Sequence, residues 1–158
     1  VHSLQHGIRV IEFQTPHYER LIVMFAQKVL TQNHWDTDRA MDLINTEPYR
    51  LPKPQLLTEE GGYLEERIVD FPDFSSERIR MDENISRKFQ CEGRYHLIIC
   101  VKGKLRLESQ SGSIFELLPE EAVFLPASTS FYRVTNSGAD SMIFLRAVPV
   151  KAHSAKLD

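Results

Sequence analysis

The alternation of apolar and polar positions predicts a chain built mainly from short β-strands. From Tyr63 onward, short apolar runs are separated by turn-forming residues, a pattern typical of a β-sandwich or jelly roll. Lys102-Gly103 and Ser111-Gly112 predict tight hairpin turns, and Ser137-Gly138 predicts a turn into the last strand. The predicted strands cover residues 64–71, 77–82, 94–101, 104–109, 113–118, 121–125, 130–135 and 140–148.

The pattern before Tyr63 is different. Residues 8–14 alternate as a strand does, and they place Glu12 and Gln14 on the face that carries Ile8. The apolar run 21–30 favours a buried strand because it contains β-branched residues. One short helix is predicted from Asp36 or Thr37 to about Ile44. Its apolar stripe would consist of Ala40, Met41, Leu43 and Ile44.

These patterns divide the chain into four segments. Residues 1–45, with strands and the helix, are expected to be the end of a preceding unit. Residues 46–62 contain Pro48, Pro52 and Pro54 and predict an extended linker. Residues 63–150 form the C-terminal β-unit, and the polar residues 151–158 form a tail.

Composition and charge narrow the function classes. Of the 158 residues, 42% are hydrophobic and 26% are charged, which is ordinary for a globular protein. The net charge of -3 gives no electrostatic case for binding nucleic acid or a membrane surface. Cys91 and Cys100 lack metal-site spacing and predict buried thiols in a reducing compartment, the cytoplasm. No signal peptide is recognisable, and a start without methionine suggests a processed, engineered or partial chain.

The candidate chemistry is concentrated in the first twenty residues. His2 and Glu12 carry groups that a zinc site uses, and the guanidinium of Arg20 suits a phosphate or an oxyanion. Gln14 and Tyr18 are weaker candidates beside them. A single histidine or glutamate in such a stretch is more often solvated or ion-paired. The prediction of a functional site therefore rests on the joint occurrence of His2, Glu12 and Arg20.

The first twenty residues contain VHSL, then VIEFQ, then an arginine near a tyrosine. This order resembles type I mannose-6-phosphate isomerases, which are zinc enzymes built from cupin (jelly-roll) domains. The resemblance implies that His2 is a zinc ligand, Glu12 an active-site carboxylate and Arg20 a catalytic residue. The other zinc ligands of that family, a glutamine, a histidine and a glutamate, would lie upstream of Val1. The chain would then be the C-terminal part of such an enzyme.

The resemblance also implies a reaction. These enzymes interconvert an aldose and a ketose phosphate, so zinc would polarise substrate oxygens and Arg20 would stabilise an anionic intermediate. Without upstream ligands, the isolated chain is expected to be inactive. The alternative is a non-catalytic cupin that acts as a sugar-binding or dimerisation module. Exposed sheet edges favour a homodimer in either case.

The C-terminal unit lacks the ligands of a metal-binding cupin. Phe131 stands where the second metal-binding motif would carry a histidine, and His96 alone is left from the first motif. One imidazole does not hold zinc, so His96 is expected to be a core or rim residue. Phe131 and Tyr132 are expected to fill the barrel mouth. The basic residues Arg78, Arg80, Arg87, Lys88 and Arg94 are interleaved with acids and predict a solvated face.

Overall fold

A computed structural model describes residues 6–14, 21, 36–47 and 52–150 of the chain. The chain divides into two compact units, Val1–Leu51 and Pro52–Asp158. Among the described residues, no helix combines the length and the hydropathy that a transmembrane span requires.

The first unit contains the predicted short helix. Helix α1 spans Thr37–Leu43, and the backbone N–H of Ala40 donates to the carbonyl of Asp36 at 2.8 Å. The predicted position of this helix is therefore confirmed. Its predicted apolar stripe is wrong in part, because Ala40 is buried but Met41 and Leu43 are exposed.

The predicted strand over residues 8–14 is wrong. These residues have no regular secondary structure, and Ile8, Val10 and Ile11 are exposed. A strand needs the backbone of a neighbouring strand to satisfy its N–H and C=O groups. Alternation in a short apolar run does not supply that neighbour.

The second unit is a sandwich of two antiparallel sheets. The large sheet has the strand order β1-β2-β3-β10-β5-β8, and the small sheet has the order β4-β9-β6-β7. This arrangement confirms the predicted class, a mainly β jelly roll with one short helix. The strands are β1 Gln55–Glu60, β2 Tyr63–Asp70, β3 Phe74–Met81, β4 Ser86–Gln90, β5 His96–Lys102, β6 Leu105–Ser109, β7 Ile114–Leu117, β8 Ala122–Leu125, β9 Phe131–Asn136 and β10 Met142–Pro149.

The sequence pattern did not predict two of these strands, β1 and β4. Strand β1 lies inside the predicted linker 46–62, so residues 55–60 are not an extended linker. Gly61 and Gly62 join it to β2, and their positive φ angles of 52° and 80° suit a two-residue hairpin loop. Strand β4 has one buried apolar residue, Phe89, so its sequence gives almost no periodic signal.

The turns show where the chain changes sheet. Ser111-Gly112 forms the predicted hairpin, because β6 pairs with β7. Lys102-Gly103 does not form one: β5 pairs with β8 and β10, and β6 pairs with β7 and β9. The turn at Gly103 therefore carries the chain from the large sheet to the small one. Ser137-Gly138 joins β9 in the small sheet to β10 in the large sheet.

The space between the sheets is apolar over much of its length. Alternate residues of each strand face inward, as the two-residue period requires. The buried apolar side chains include Ile79, Met81, Ile98, Cys100, Leu105, Leu107, Val134, Met142 and Phe144. At one end of the large sheet, the inward positions of β2, β3, β5 and β10 carry charged and polar groups instead.

Candidate functional site

A buried carboxylate organises these polar positions. Glu77 on β3 is only 3% exposed, and the strand register places it opposite both Arg67 on β2 and Arg146 on β10. Its two carboxylate oxygens lie 3.5 Å from Arg67 Nε and 3.4 Å from Arg146 Nε, and Ser75 Oγ donates to it at 3.1 Å. A carboxylate this deeply buried is tolerable because cations and a donor face it.

A second carboxylate completes a charge-balanced group. Glu65 on β2 accepts a 2.7 Å bond from Arg146 Nη2 and a 2.5 Å bond from the hydroxyl of Tyr63. Burial and then the bond to Glu65 raise the pKa of Tyr63, so its hydroxyl stays protonated as a donor. We call Glu65, Glu77, Arg67 and Arg146 the interior ion-pair network.

The network continues through Arg146 to an aromatic pair. The guanidinium of Arg146 lies over the ring of Phe89, 4.9 Å from its centroid, and its positive charge acts on the hydroxyl of Tyr132 on β9. The same hydroxyl lies 2.9 Å from Nδ1 of His96 on β5. Burial raises the pKa of Tyr132, so this phenol also stays neutral.

Nδ1 of His96 and the hydroxyl of Tyr132 share one hydrogen bond, in which either atom can be the donor because a phenol both donates and accepts. Burial, followed by the charges of Arg146 and Arg94, lowers the pKa of His96 to about 4, so the ring is neutral at pH 7.

The cysteines take no part in such chemistry. Cys91 and Cys100 are buried and free, as the sequence predicted. Burial raises the pKa of both thiols, and a thiol in that state is a poor nucleophile and a poor metal ligand.

The interior groups do not fit a zinc ion. The carboxylate oxygens are directed at guanidinium groups and a phenol, and Nδ1 of His96 is hydrogen-bonded to the hydroxyl of Tyr132. A zinc site needs these atoms free and convergent on one point. Within the described ranges, no group of three or more His, Cys, Asp or Glu side chains is arranged to hold a metal. What the geometry provides is a neutral, internally bonded polar layer inside the barrel.

Three of the five sequence-predicted site residues, His2, Tyr18 and Arg20, lie outside the described residues. Glu12 and Gln14 are described, and both are exposed on a segment without secondary structure.

The predictions for the C-terminal unit fared better. His96 is a core residue, as expected, and Tyr132 is fully buried in the interior, whereas it was expected at the barrel mouth. Phe131 is half-buried on β9, with Nζ of Lys88 3.8 Å from its ring centroid. The expected solvated face is found in part, because Arg78 is 46% exposed and pairs with Glu66, whereas the Nε atom of Arg94 is buried.

Sequence reasoning missed Glu65, Glu77 and Arg146. Both faces of β2 carry charges and apolar residues, so its period does not identify the inward face. The one available signal was Glu77 itself. It shares a face of β3 with the apolar Ile79 and Met81, and Arg78 and Arg80 lie on the opposite, exposed face.

Comparison with known proteins agrees with this architecture. No family model matches the chain, and no curated protein matches it. Among solved structures, KdgF from Halomonas sp. has 19% identity and a TM-score of 0.52, covering 62% of this chain and 88% of that one. An RmlC-like cupin from Shewanella frigidimarina has 12% identity and a TM-score of 0.52, covering 64% and 87%.

A third similar structure is the polyketide cyclase RemF from Streptomyces resistomycificus, with 20% identity and a TM-score of 0.50, covering 67% of this chain and 80% of that one. At these identities the likeness concerns the fold alone. The two antiparallel sheets and these structural neighbours together show that the chain has the cupin fold.

Proposed function

We propose that the Pro52–Asp158 unit is a non-catalytic cupin module within a zinc-dependent sugar-phosphate isomerase that resembles mannose-6-phosphate isomerase. The observation that carries the non-catalytic role is the interior ion-pair network. Glu65, Glu77 and His96 are the barrel groups that could act as acids, bases or ligands, and each is bonded to an arginine or a tyrosine.

The isomerase part of the proposal rests on the resemblance around Val1–Arg20. His2 would be one ligand of a zinc ion that polarises substrate oxygens. Glu12 would contribute an active-site carboxylate, and Arg20 would stabilise the anionic intermediate. The free buried cysteines are in keeping with a reducing compartment, and we propose the cytoplasm. We expect no isomerase activity from this chain by itself.

Metal content and activity of the purified chain test the proposal. After dialysis against zinc, elemental analysis of the wild type should find no stoichiometric zinc, and a coupled assay should find no aldose–ketose isomerisation. Zinc bound and then lost on His96→Ala or Glu77→Gln would refute the non-catalytic role of the barrel. Zinc lost on His2→Ala alone would extend the isomerase to this chain.

The isomerase relationship has its own test. The coding sequence upstream of Val1 should encode a strand with a Gln-x-His motif followed by a glutamate. An upstream sequence without these ligands would refute the relationship and leave the cupin module unaffected.

A second candidate function is self-association of this module. Strand β8 is an edge of the large sheet, and Phe124 on it is 58% exposed beside Tyr95, with ring centroids 5.4 Å apart. An open edge with exposed rings can pair with the same edge of a second copy. Sedimentation velocity should show a dimer for the wild type and a monomer for Phe124→Ser. A wild-type monomer at high concentration would exclude this function.

A further inference from the structure

Three adjacent strands of the large sheet, β10, β5 and β8, carry apolar side chains on both faces. Their inward apolar residues belong to the core between the two sheets. The strand registers place further apolar residues on the outer face of β10, of β8 and of β5 up to its bulge after Cys100. We call this second set the outer apolar face, and it consists of Ile143, Leu145, Ala147 and Pro149 on β10, Leu97 and Ile99 on β5, and Ala122 and Phe124 on β8.

Much of the outer apolar face is accessible to solvent. Phe124 is 58% exposed, and Tyr95, directly before β5, adds a ring that is 45% exposed. The ring centroids of these two residues are 5.4 Å apart. Four further members are half-buried, namely Leu97, Ile99, Ile143 and Leu145. The outer faces of sandwich sheets are ordinarily polar, so a continuous apolar outer face indicates a surface that another molecule covers.

The size of this surface sets the strength of the contact. Strand β3 borders the outer apolar face with the exposed Arg78 and Arg80. The four strands β3, β10, β5 and β8, with six residue steps from Ile143 to Pro149, cover about 19 by 20 Å, or roughly 400 Å². A pair of such surfaces buries about 800 Å², which is below the 1,200–2,000 Å² of a standard interface. We therefore expect a weak, concentration-dependent contact.

The charges at the border of the face favour a second copy of this chain as the occupant. Arg80 on β3 and Lys102 on β5 lie on either side of Ile143, at one end of the face. The rings of Tyr95 and Phe124 lie toward the other end. A two-fold axis in the plane of the interface and at right angles to the strands reverses the strand direction in the partner. The cations of each copy then lie over the aromatic end of the other, and not over the partner's cations.

The centre of the face also suits contact with itself. Leu145 on β10 lies opposite Ile99 on β5, and Ile99 lies opposite Ala122 on β8. This middle row is apolar, so bringing two copies of it together opposes no like charges. Identical flat faces of two sheets can pack on each other as the inner faces of a sandwich do, about 10 Å apart.

We propose that the outer apolar face packs on the outer apolar face of a second copy, sheet on sheet, with Leu145 near the two-fold axis. Such a dimer is one form of the self-association proposed above, on which it rests. It uses the face of the large sheet, whereas the pairing described there uses the edge strand β8.

One distance between the copies distinguishes the face from the edge. In the face-to-face dimer, the two copies of position 145 lie across the sheet spacing of about 10 Å. In a dimer joined edge to edge through β8, strand β10 is two strands away from the junction in each copy. The two copies of position 145 are then five strand spacings apart, about 24 Å. A bismaleimide with a short spacer bridges only the shorter distance.

Cross-linking of Leu145→Cys in the full chain is the test. Treatment with the short bismaleimide over a series of protein concentrations should give a covalent dimer. Cys91 and Cys100 are buried, so the wild type supplies the background. The matched control is Ile114→Cys, because Ile114 is 49% exposed but lies on β7 of the small sheet, and it should give no covalent dimer.

A charge at the same position supplies an independent measurement. Leu145→Lys brings two ammonium groups together near the axis, so it should raise the Kd of the dimer about tenfold or more in sedimentation velocity. Ile114→Lys should leave the Kd unchanged. Far-UV circular dichroism checks that the variants fold. Ile99→Thr, which keeps a β-branched side chain but weakens the apolar contact, takes the place of Leu145→Lys if that variant is unfolded.

The outcomes separate the face from the edge. A covalent dimer from Leu145→Cys but not from Ile114→Cys, with dissociation of Leu145→Lys, supports the face-to-face dimer. A wild-type dimer that persists in Leu145→Lys and gives no cross-link at position 145 overturns it and leaves pairing through β8 standing. Equal cross-linking at positions 145 and 114 also overturns it, because random collision would explain both. A wild-type monomer at high concentration overturns both forms of self-association.

Discussion

Replacement of Arg146 by methionine is the perturbation that most directly probes the interior ion-pair network. Methionine keeps much of the side-chain length and removes the charge. Glu77 would retain Arg67 and Ser75 as partners. Glu65 would retain only the hydroxyl of Tyr63, so its charge would be left buried without a cation.

The structure sets the size of the effect. The side chains of Arg146 and Glu65 are 14% and 13% exposed, and their atoms lie 2.7 Å apart. Removing one partner of a pair this buried costs about 3–5 kcal/mol. We expect about 3 kcal/mol, the low end of that range, because the hydroxyl of Tyr63 still bonds to Glu65. That loss is a large fraction of the typical 5–15 kcal/mol stability of a domain, about a fifth or more.

Urea unfolding followed by far-UV circular dichroism measures this loss at pH 7. The matched control is Arg78→Met, because Arg78 also bonds to a glutamate at 2.7 Å but is 46% exposed on the outer face. That exposed pair should contribute at most about 1 kcal/mol.

The double variant Arg146→Met/Glu65→Gln adds a second check. It removes the orphaned charge, so it should be more stable than Arg146→Met alone. Equal destabilisation by Arg146→Met and Arg78→Met would refute the argument. So would a double variant that is less stable than the single one.

Two other predictions concern the histidine and a glycine. The folded pKa of His96, about 4, lies below the ordinary value near 6.5, so the unfolded chain binds the proton first as pH falls. The free energy of unfolding should therefore decrease between about pH 6.5 and 4, by roughly 3 kcal/mol in total. His96→Gln should flatten this part of the profile of urea midpoint against pH. An unchanged slope in that variant would contradict the burial of a neutral imidazole. Gly103 has φ +84°, and a Cβ there would lie 3.0 Å from the Cα of Met142, whereas Gly112 has φ +82° with open space around it. An alanine at either position carries the left-handed backbone strain of about 1–2 kcal/mol. Gly103→Ala should cost about 1–3 kcal/mol more than Gly112→Ala, because the backbone near Met142 must move. Equal unfolding midpoints for the two variants would argue against that close approach.

Local pattern was a good guide wherever a strand has one apolar face. Strands β5, β9 and β10 were predicted closely because their inward residues are apolar and their turns contain glycine or serine. Strand β4 was missed because its inward residues, Arg87 and Phe89, do not form an apolar stripe. The stretch 8–14 has the alternation but no strand in the structure, so period alone does not establish that a strand is paired.

The buried polar network could not be predicted from local sequence. Arg146 is 69 residues from Glu77 in the sequence, and Arg67, Glu77 and Arg146 meet because β3 pairs with both β2 and β10. That pairing is a property of the sheet order, which no periodicity encodes. The same holds for His96, whose hydrogen-bond partner is a tyrosine of the opposite sheet.

By itself, the sequence determined the mainly β class, the helix after Asp36, the burial of the cysteines and the unsuitability of His96 as a lone zinc ligand. These features depend on residue type and on neighbours within a few positions. Only the tertiary structure decided that Gly103 crosses between the sheets and that the carboxylates inside the barrel are neutralised by arginines. It also revealed two buried nitrogen atoms beside β5 without a hydrogen-bond partner. The physical reason is that burial, ion pairing and hydrogen-bond satisfaction are set by residues distant in sequence, which become neighbours only when the two sheets have formed.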